Sequence, residues 1–155
     1  QTFVDFPDYW VADLSFRKPK KITAAAHLGT THIDEDCAVL LDYGNGQTAN
    51  LHSTLLARTP TEAYIYCEKG YIHIPTRFHE PVSAITIFKY ENLSATPLSF
   101  DYQAIGYKYE AAELMRCLLE GKKEGDLVPH QFSIDLMTLL DEIRERIGLV
   151  YPRHD

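Results

Sequence analysis

The chain has 155 residues and a formal net charge of −7 at pH 7, and 45% of its residues are apolar and 24% charged. This composition predicts a single folded domain over residues 1–155 and gives no indication of disorder. The acidic balance disfavours a partner held mainly through phosphates, because nucleic-acid binders need a basic stripe that displaces counterions. Three widely spaced cysteines without a C-x-x-C motif disfavour a disulfide framework and a zinc knuckle, so a reducing compartment fits best.

No apolar run approaches the roughly 18 residues of a membrane span, and the first residues show no basic-then-apolar signal pattern. The basic cluster at residues 17–21 precedes a strand-like stretch and is typical of a solvated turn. We therefore expect a soluble cytoplasmic protein with neither a membrane nor a nucleic-acid partner.

The first two thirds of the chain alternate with the period of two that is typical of strands, beginning at the stretch KKITAAAHL. Two strand-like runs adjoin Gly44-Asn45-Gly46, where Asn-Gly supplies the positive φ of a tight hairpin. Further strands are predicted at EAYIYCEKG, YIHIP, SAITIFKY and LSFDY, with a second hairpin at Lys69-Gly70.

After residue 102 the apolar spacing becomes helical, and two helices are predicted. The first ends at Gly121, and the second lies between Pro129 and Gly148. Strands followed by helices predict an α+β fold, with a large, mostly antiparallel open β-sheet and both helices packed on one face. The residues expected to be buried at that contact are Leu114, Leu118, Leu136, Leu140 and Ile143.

The other sheet face carries aromatic and small polar side chains. Tyr64 and Tyr66 alternate on one strand, and Thr, Asn and His residues alternate over residues 48–54. Tyrosine is enriched where a ring is buried while its hydroxyl stays paired, so this face is predicted to contact a partner. A face that simply meets water is the alternative.

Two clusters are candidates for a ligand site. The stretch THIDEDC holds a histidine, acidic residues and a cysteine, but it needs further converging ligands to hold a metal and is typical of an acidic turn. Arg77, Phe78 and His79 place a cation, a ring and a proton donor on one loop, a plausible rim for an anionic or hydroxylated ligand. No G-x-S-x-G elbow, P-loop or G-x-G-x-x-G motif is present, so the chain has no nucleotide-binding fingerprint.

The order of these segments resembles that of a known family. The closing segment GYKYEAAELMRCLLEGKKEGDLVPHQFSIDLMTLLDEIRERIGLVYP and the upstream run DEDCAVLLDYGNGQTANLHSTLLARTPTEAYIYCEKGYIHIP resemble the glucose-fructose oxidoreductase, inositol dehydrogenase and rhizopine-catabolism family. The resemblance covers roughly residues 16–152 and is nearest to the dihydrodiol-dehydrogenase-like branch.

The resemblance implies a division of labour between two domains. In that family an N-terminal Rossmann domain binds NAD or NADP, and a C-terminal, mostly antiparallel sheet lines the substrate pocket and builds the oligomer. This chain is similar to the second half alone, with the Rossmann domain absent. By the same resemblance, Arg77, Phe78 and His79 match a substrate loop, and Tyr107 lies in the first turn of the penultimate helix beside the substrate.

The family's catalytic motifs bear on activity. Its Glu-Lys-Pro motif belongs to the missing half, and Lys18-Pro19 lacks the preceding Glu. A second motif places an Asp four residues before a catalytic His or Tyr that is followed closely by Pro. Aligning that Pro with Pro7 puts Phe6 at the catalytic position and Thr2 at the Asp. Phenylalanine transfers no proton, so either the aligned terminal segment is too short or this chain lacks the acid/base residue. No catalytic, cofactor-binding or metal-binding residue is assigned within this chain.

The resulting hypothesis is the substrate-binding and dimerisation half of an NAD(P)-dependent dehydrogenase acting on a sugar, cyclic polyol or diol, inactive by itself. Its expected partners are the N-terminal Rossmann domain, a small substrate and a second copy of the chain, through the open sheet face. The principal alternative is a stand-alone, non-enzymatic module for dimerisation or small-ligand binding. A third alternative, a small isomerase using His and Glu, lacks the paired carboxylates that would indicate it.

Overall fold

The fold comes from a computed structural model, which describes residues 17–75, 77–79, 83–101, 107–126 and 128–151. Within these ranges the strands are β1 (Lys21–Leu28), β2 (Asp34–Gly44), β3 (Gln47–Thr54), β4 (Ala63–Cys67), β5 (Gly70–Ile74), β6 (Ala84–Lys89) and β7 (Ser94–Ser99). The helices are α1 (Tyr107–Leu119) and α2 (His130–Ile147). Every strand pairing is antiparallel, so the predicted α+β class with an antiparallel sheet architecture is confirmed.

The chain divides into two compact units. Unit 1 combines Gln1–Arg58 with Asp126–Asp155, and unit 2 is the continuous segment Thr59–Gly125. Sheet A, in the order β1-β2-β3, and helix α2 belong to unit 1. Sheet B, in the order β4-β5-β6-β7, and helix α1 belong to unit 2. One domain over residues 1–155 stays a prediction.

The β2–β3 hairpin of sheet A is closed by the predicted Asn-Gly turn. Gly44 pairs with Gln47, which leaves Asn45 and Gly46 as a two-residue loop. Their φ angles are 55° and 76°, the left-handed values that a type I′ turn requires at both central positions. Because the twist of this turn matches that of the flanking strands, the turn fixes the register of the hairpin.

One face of sheet A packs under helix α2. Ile22 lies opposite Leu41 on the neighbouring strand, so both side chains point to the same face. The buried members of this core are Ile22, Val39, Leu41 and Tyr43. Leu139 and Ile143 of α2 pack against them and hold the helix to the sheet.

The predicted burial of the helix leucines was wrong at four positions. The exposed fractions of Leu114, Leu118, Leu136 and Leu140 are 61%, 65%, 42% and 38%. Helix α2 presents Leu139 and Ile143 to sheet A, so its contact stripe is rotated by about one residue from the predicted one. Ile143 is the member of the predicted set that packs as expected.

Both helices end as predicted, at a glycine with left-handed backbone. The φ angles of Gly121 and Gly148 are 69° and 71°. The amide of Lys122 donates to the Cys117 carbonyl at 2.8 Å, which satisfies a carbonyl that the helix end leaves unpaired. Neither helix in the described ranges has the length and apolar character that crossing a membrane requires.

Sheet B opens with the β4–β5 hairpin. Cys67 pairs with Gly70, so the connecting residues are Glu68 and Lys69, one position earlier than the predicted Lys69-Gly70. The strand predicted at LSFDY begins earlier in the structure, because β7 runs from Ser94 to Ser99. Cross-strand pairing aligns Ile65, Ile72 and Ile87 on one face and leaves the aromatic side chains on the other.

Candidate functional site

The predicted ligand loop, Arg77–His79, is fastened to the segment that precedes β4. The amide of Arg77 donates to the hydroxyl Oγ1 of Thr61 at 2.8 Å, and the amide of Phe78 donates to the Thr61 carbonyl at 3.0 Å. Arg77 has a φ of 55°, in the left-handed region that costs a residue with a Cβ about 1–2 kcal/mol. These two hydrogen bonds hold the loop in that conformation.

The loop presents an aromatic ring beside an imidazole. The rings of Phe78 and His79 meet edge to face, with centroids 5.7 Å apart. Phe78 is 51% exposed, and the side chains of Arg77 and His79 are also exposed. An exposed ring with a guanidinium and an imidazole on the same loop can stack on an apolar ligand surface while donating hydrogen bonds to hydroxyl groups.

Tyr107, the fourth predicted ligand residue, is the first residue of α1 and is 74% exposed. Within the described part of the chain, no hydrogen bond or ring contact joins it to the Arg77–His79 loop. The structure brings Arg77, Phe78 and His79 together, and the roles of all four residues stay predictions.

Sheet B carries a continuous aromatic surface, here called the aromatic face. Its members are Tyr64, Tyr66, Tyr71, His73, Phe88 and Tyr90. The rings of Tyr64 and Tyr66 are stacked with centroids 5.9 Å apart, and those of Tyr71 and Phe88 lie 4.9 Å apart. Tyr66 is 69% exposed, so the face presents large ring edges to the surroundings.

One carboxylate organises the β4–β5 side of the aromatic face. Oε2 of Glu62 accepts a hydrogen bond from the Tyr64 hydroxyl at 2.9 Å and lies 2.9 Å from Nε2 of His73. The imidazole of His73 also stacks on the Tyr64 ring, with centroids 4.4 Å apart and planes 9° from parallel. The hydrogen bond from Tyr64, followed by that from His73, lowers the pKa of the Glu62 carboxyl.

Sequence reasoning identified Tyr64 and Tyr66 but missed Glu62. The signal was present, because Glu62 precedes them with the same period of two and therefore shares their face. The approach of His73 depends on the strand register, which places it directly opposite Tyr64. The predicted turn lies one residue later than the observed one, and it would place Tyr66 instead of Tyr64 opposite His73.

The alternating polar residues of β3 lie in unit 1, on the face of sheet A opposite the core. Nε2 of His52 is 3.2 Å from Oδ2 of Asp36 on the neighbouring strand. A hydrogen bond with Thr54, followed by that with His52, lowers the pKa of the Asp36 carboxyl. The polar surface of sheet A and the aromatic face of sheet B therefore belong to different units.

The residues described by the structure include no cluster of three or more His, Cys, Asp or Glu side chains that could hold a metal ion. The positions aligned with the family's catalytic motif, Thr2, Phe6 and Pro7, lie outside the described residues.

Curated relatives match most of the chain. It is 33% identical over 139 residues to trans-1,2-dihydrobenzene-1,2-diol dehydrogenase from Xenopus laevis, an alignment that covers 87% of this chain and 42% of that protein. The proteins of the same name from Danio rerio and Homo sapiens are 33% and 26% identical over 141 residues. The chain spans about 42% of the length of these relatives. No protein-family model matches the chain.

Solved structures share the fold at lower identity. UDP-N-acetylglucosamine 3-dehydrogenase from Acidithiobacillus ferrooxidans matches with a TM-score of 0.70 and 11% identity, over 84% of this chain and 40% of that chain. An aldose-aldose oxidoreductase from Caulobacter crescentus matches with a TM-score of 0.70 and 14% identity, over 84% of this chain and 39% of that chain. At these identities the likeness establishes the fold alone.

The fold is that of the C-terminal half of oxidoreductases of the glucose-fructose oxidoreductase, inositol dehydrogenase and rhizopine-catabolism type. Within this class the chain is a homologue of the trans-1,2-dihydrobenzene-1,2-diol dehydrogenases. The predicted family and branch are thereby confirmed.

Proposed function

We propose that this chain is the substrate-binding and dimerisation half of an NAD(P)-dependent oxidoreductase that acts on a sugar, cyclic polyol or diol. The observation that carries the proposal is the 33% identity to a trans-1,2-dihydrobenzene-1,2-diol dehydrogenase over 87% of this chain. Among the three substrate classes a cyclic trans-diol is favoured, because the relatives' name specifies one.

The substrate contact is assigned to the Arg77–His79 loop. A cyclic diol has an apolar ring and two adjacent hydroxyl groups, which suit an exposed phenyl ring flanked by hydrogen-bond donors. The two hydrogen bonds to Thr61 support this role, since a loop fixed before the ligand arrives loses less conformational entropy on binding. Tyr107 is assigned as a further substrate contact.

The cofactor is assigned to the Rossmann domain of the longer parent protein. The described strands pair through antiparallel ladders, and a Gly-rich turn between a strand and a helix, which seats a pyrophosphate, is absent from the sequence. Hydride transfer requires nicotinamide and substrate carbon to be held together, so this half would orient the substrate while the other half presents the cofactor.

The self-association surface is assigned to the aromatic face. Its partly exposed tyrosine rings have the composition that is enriched at protein interfaces. A two-fold contact through this face would place each ring edge against the equivalent surface of the second copy. A stable dimer would bury on the order of 1,200 Å² or more.

Nuclear magnetic resonance titration of the isotope-labelled chain with a cyclic trans-diol tests the substrate role. We expect the largest shifts at Arg77, Phe78 and His79, and weaker affinity for glucose and inositol. Phe78→Ala should weaken diol binding by about fivefold, the loss expected for one aromatic contact of roughly 1 kcal/mol. Phe100→Ala is the matched control, because Phe100 is 44% exposed in the same unit and outside the loop. Equal losses in both variants, or diol shifts away from the loop, would refute the assignment.

A further inference from the structure

The Glu62–Tyr64–His73 cluster places a titratable pair within the aromatic face. The imidazole of His73 contacts the Glu62 carboxylate and the Tyr64 ring, and its side chain is 25% exposed. The Glu62 side chain is 33% exposed and accepts hydrogen bonds from both neighbours. The charged groups of this cluster are thus partly shielded from water in the free chain.

The cluster has two charge states, which differ in whether the His73 imidazole carries one proton or two. When the imidazole is neutral, it can donate its Nε2 proton to Glu62, and the cluster carries the single negative charge of the carboxylate. When the imidazole takes up a second proton, the pair becomes a neutral imidazolium–carboxylate contact. The hydrogen bonds from Tyr64 and His73 lower the pKa of Glu62, which favours its ionised carboxylate.

We propose that the Glu62–His73 pair makes self-association through the aromatic face proton-dependent, so that two copies bind more tightly as the pH falls from 8 to 6. The inference rests on the proposed function, since it assumes that the aromatic face is where copies meet.

The direction follows from the charge that the contact would bury. Above the titration range of imidazole, a two-fold contact would bring two carboxylate charges into one interface and remove water from both. Protonation of each His73 neutralises the charge of the adjacent Glu62 carboxylate. The dimer therefore binds these protons more tightly than the free chains do. Association therefore tightens on acidification, by the same linkage that governs folding.

The groups that face His73 from each neighbouring element do not mask this effect. On β4, Tyr64 lies directly opposite His73. On β6, the residue opposite His73 is Thr86, which carries no charge. Tyr66 and Tyr71 share the face, and their rings contact each other with centroids 5.7 Å apart. Among the described residues, Glu62 is the only ionised group in contact with the His73 ring.

Sedimentation velocity of the 155-residue chain between pH 8 and pH 6 measures the effect. We expect the dissociation constant of the dimer to fall about tenfold, which corresponds to about 1.4 kcal/mol shared between the two Glu62–His73 pairs of the dimer. His73→Gln should flatten most of this dependence. Glu62→Gln should tighten the dimer at pH 8 and reverse the trend, because a protonated His73 would then bring an unpaired cation into the contact.

His27→Gln is the matched control, because Nε2 of His27 lies 4.0 Å from a carboxylate oxygen of Glu35 in the other unit. It should retain the wild-type dependence, because it removes an imidazole beside a carboxylate outside the aromatic face. A dimer whose pH dependence survives His73→Gln would overturn the proton switch and leave the proposed association intact. A chain that stays monomeric at every pH would overturn both.

Discussion

The carboxyl group of Asp36 depends on Thr54 more than on the histidine beside it. The hydrogen bond with Thr54 is the largest cause that lowers the pKa of Asp36, ahead of the contact with His52. A carboxyl whose pKa is lowered by folding stabilises the native state at pH values above its pKa in the unfolded chain. This contribution is lost as the pH falls through its pKa in the folded protein. The β2–β3 pairing is therefore linked to acid stability through a hydroxyl.

Thr54→Val should raise the pKa of Asp36 towards its ordinary value of 3.8, because valine keeps the shape of threonine and removes the hydroxyl. The variant should be less stable at neutral pH, and the part of its acid sensitivity that comes from Asp36 should shrink. Carbon-detected magnetic resonance of the Asp36 carboxyl gives the titration directly. Thr48→Val is the control, since Thr48 lies opposite Asp42 on the same strand pair and should leave Asp36 unchanged. An unaltered Asp36 titration in Thr54→Val would contradict this account.

Residues of the candidate site divide into those that the sequence can reveal and those that it cannot. Arg77, Phe78 and His79 are neighbours in the chain, so their grouping is visible before any fold is known. Glu62 and His73 lie 11 positions apart and meet because β4 pairs with β5 in one particular register. The predicted turn lies one residue later, which would set His73 opposite Tyr66 instead of Tyr64, so the contact between His73 and Glu62 escapes prediction.

At the scale of elements, the signals that depend on backbone conformation were the most reliable. The Asn-Gly turn and the two helix-ending glycines occur where the sequence predicts them, because left-handed φ angles strongly favour these residues. The contact stripe of α2 was predicted wrongly, since Leu136, Leu139, Leu140 and Ile143 offer two overlapping apolar stripes. Local spacing does not decide between them, and packing on β1 and β2 does.

Leu41 tests the core of sheet A. It is 3% exposed, so Leu41→Ala should reduce the free energy of unfolding by about 2–5 kcal/mol through lost burial and the cavity left behind. Leu40 precedes it on the opposite face and is 40% exposed, so Leu40→Ala should cost less than about 1 kcal/mol. Chemical denaturation of both variants measures the difference. Similar losses would contradict the assignment of faces.

At the scale of the whole molecule, the family could be predicted from the sequence, whereas the arrangement of the strands in sheets could not. The order of strands and helices and the branch of the family agree with the structure and the relatives. The division of strands between sheets A and B was not predicted, because alternation within a strand carries no information on which other strands it joins.

The division of labour proposed for the parent protein predicts that this chain alone binds neither nicotinamide cofactor tightly. Titration of NADH and NADPH, followed by their fluorescence, should give no dissociation constant in the low micromolar range. The diol titration of the same sample serves as the positive control for a folded substrate loop. Low-micromolar affinity for either cofactor would refute the half-enzyme assignment.

Unit 1 is built from both ends of the chain, whereas unit 2 is continuous, and this has a consequence for synthesis on the ribosome. Sheet A emerges before unit 2, but the helix that covers its apolar face follows only after all of Thr59–Gly125 has been translated. At about 5–20 residues per second this delay lasts seconds, which is long compared with hairpin formation. Ile22, Val39 and Leu41 therefore remain uncovered in the nascent chain while unit 2, formed from local hairpins, can already fold. Helix α2 thus completes a sheet made well before it, so ribosome-associated chaperones would have this apolar face to bind during the interval.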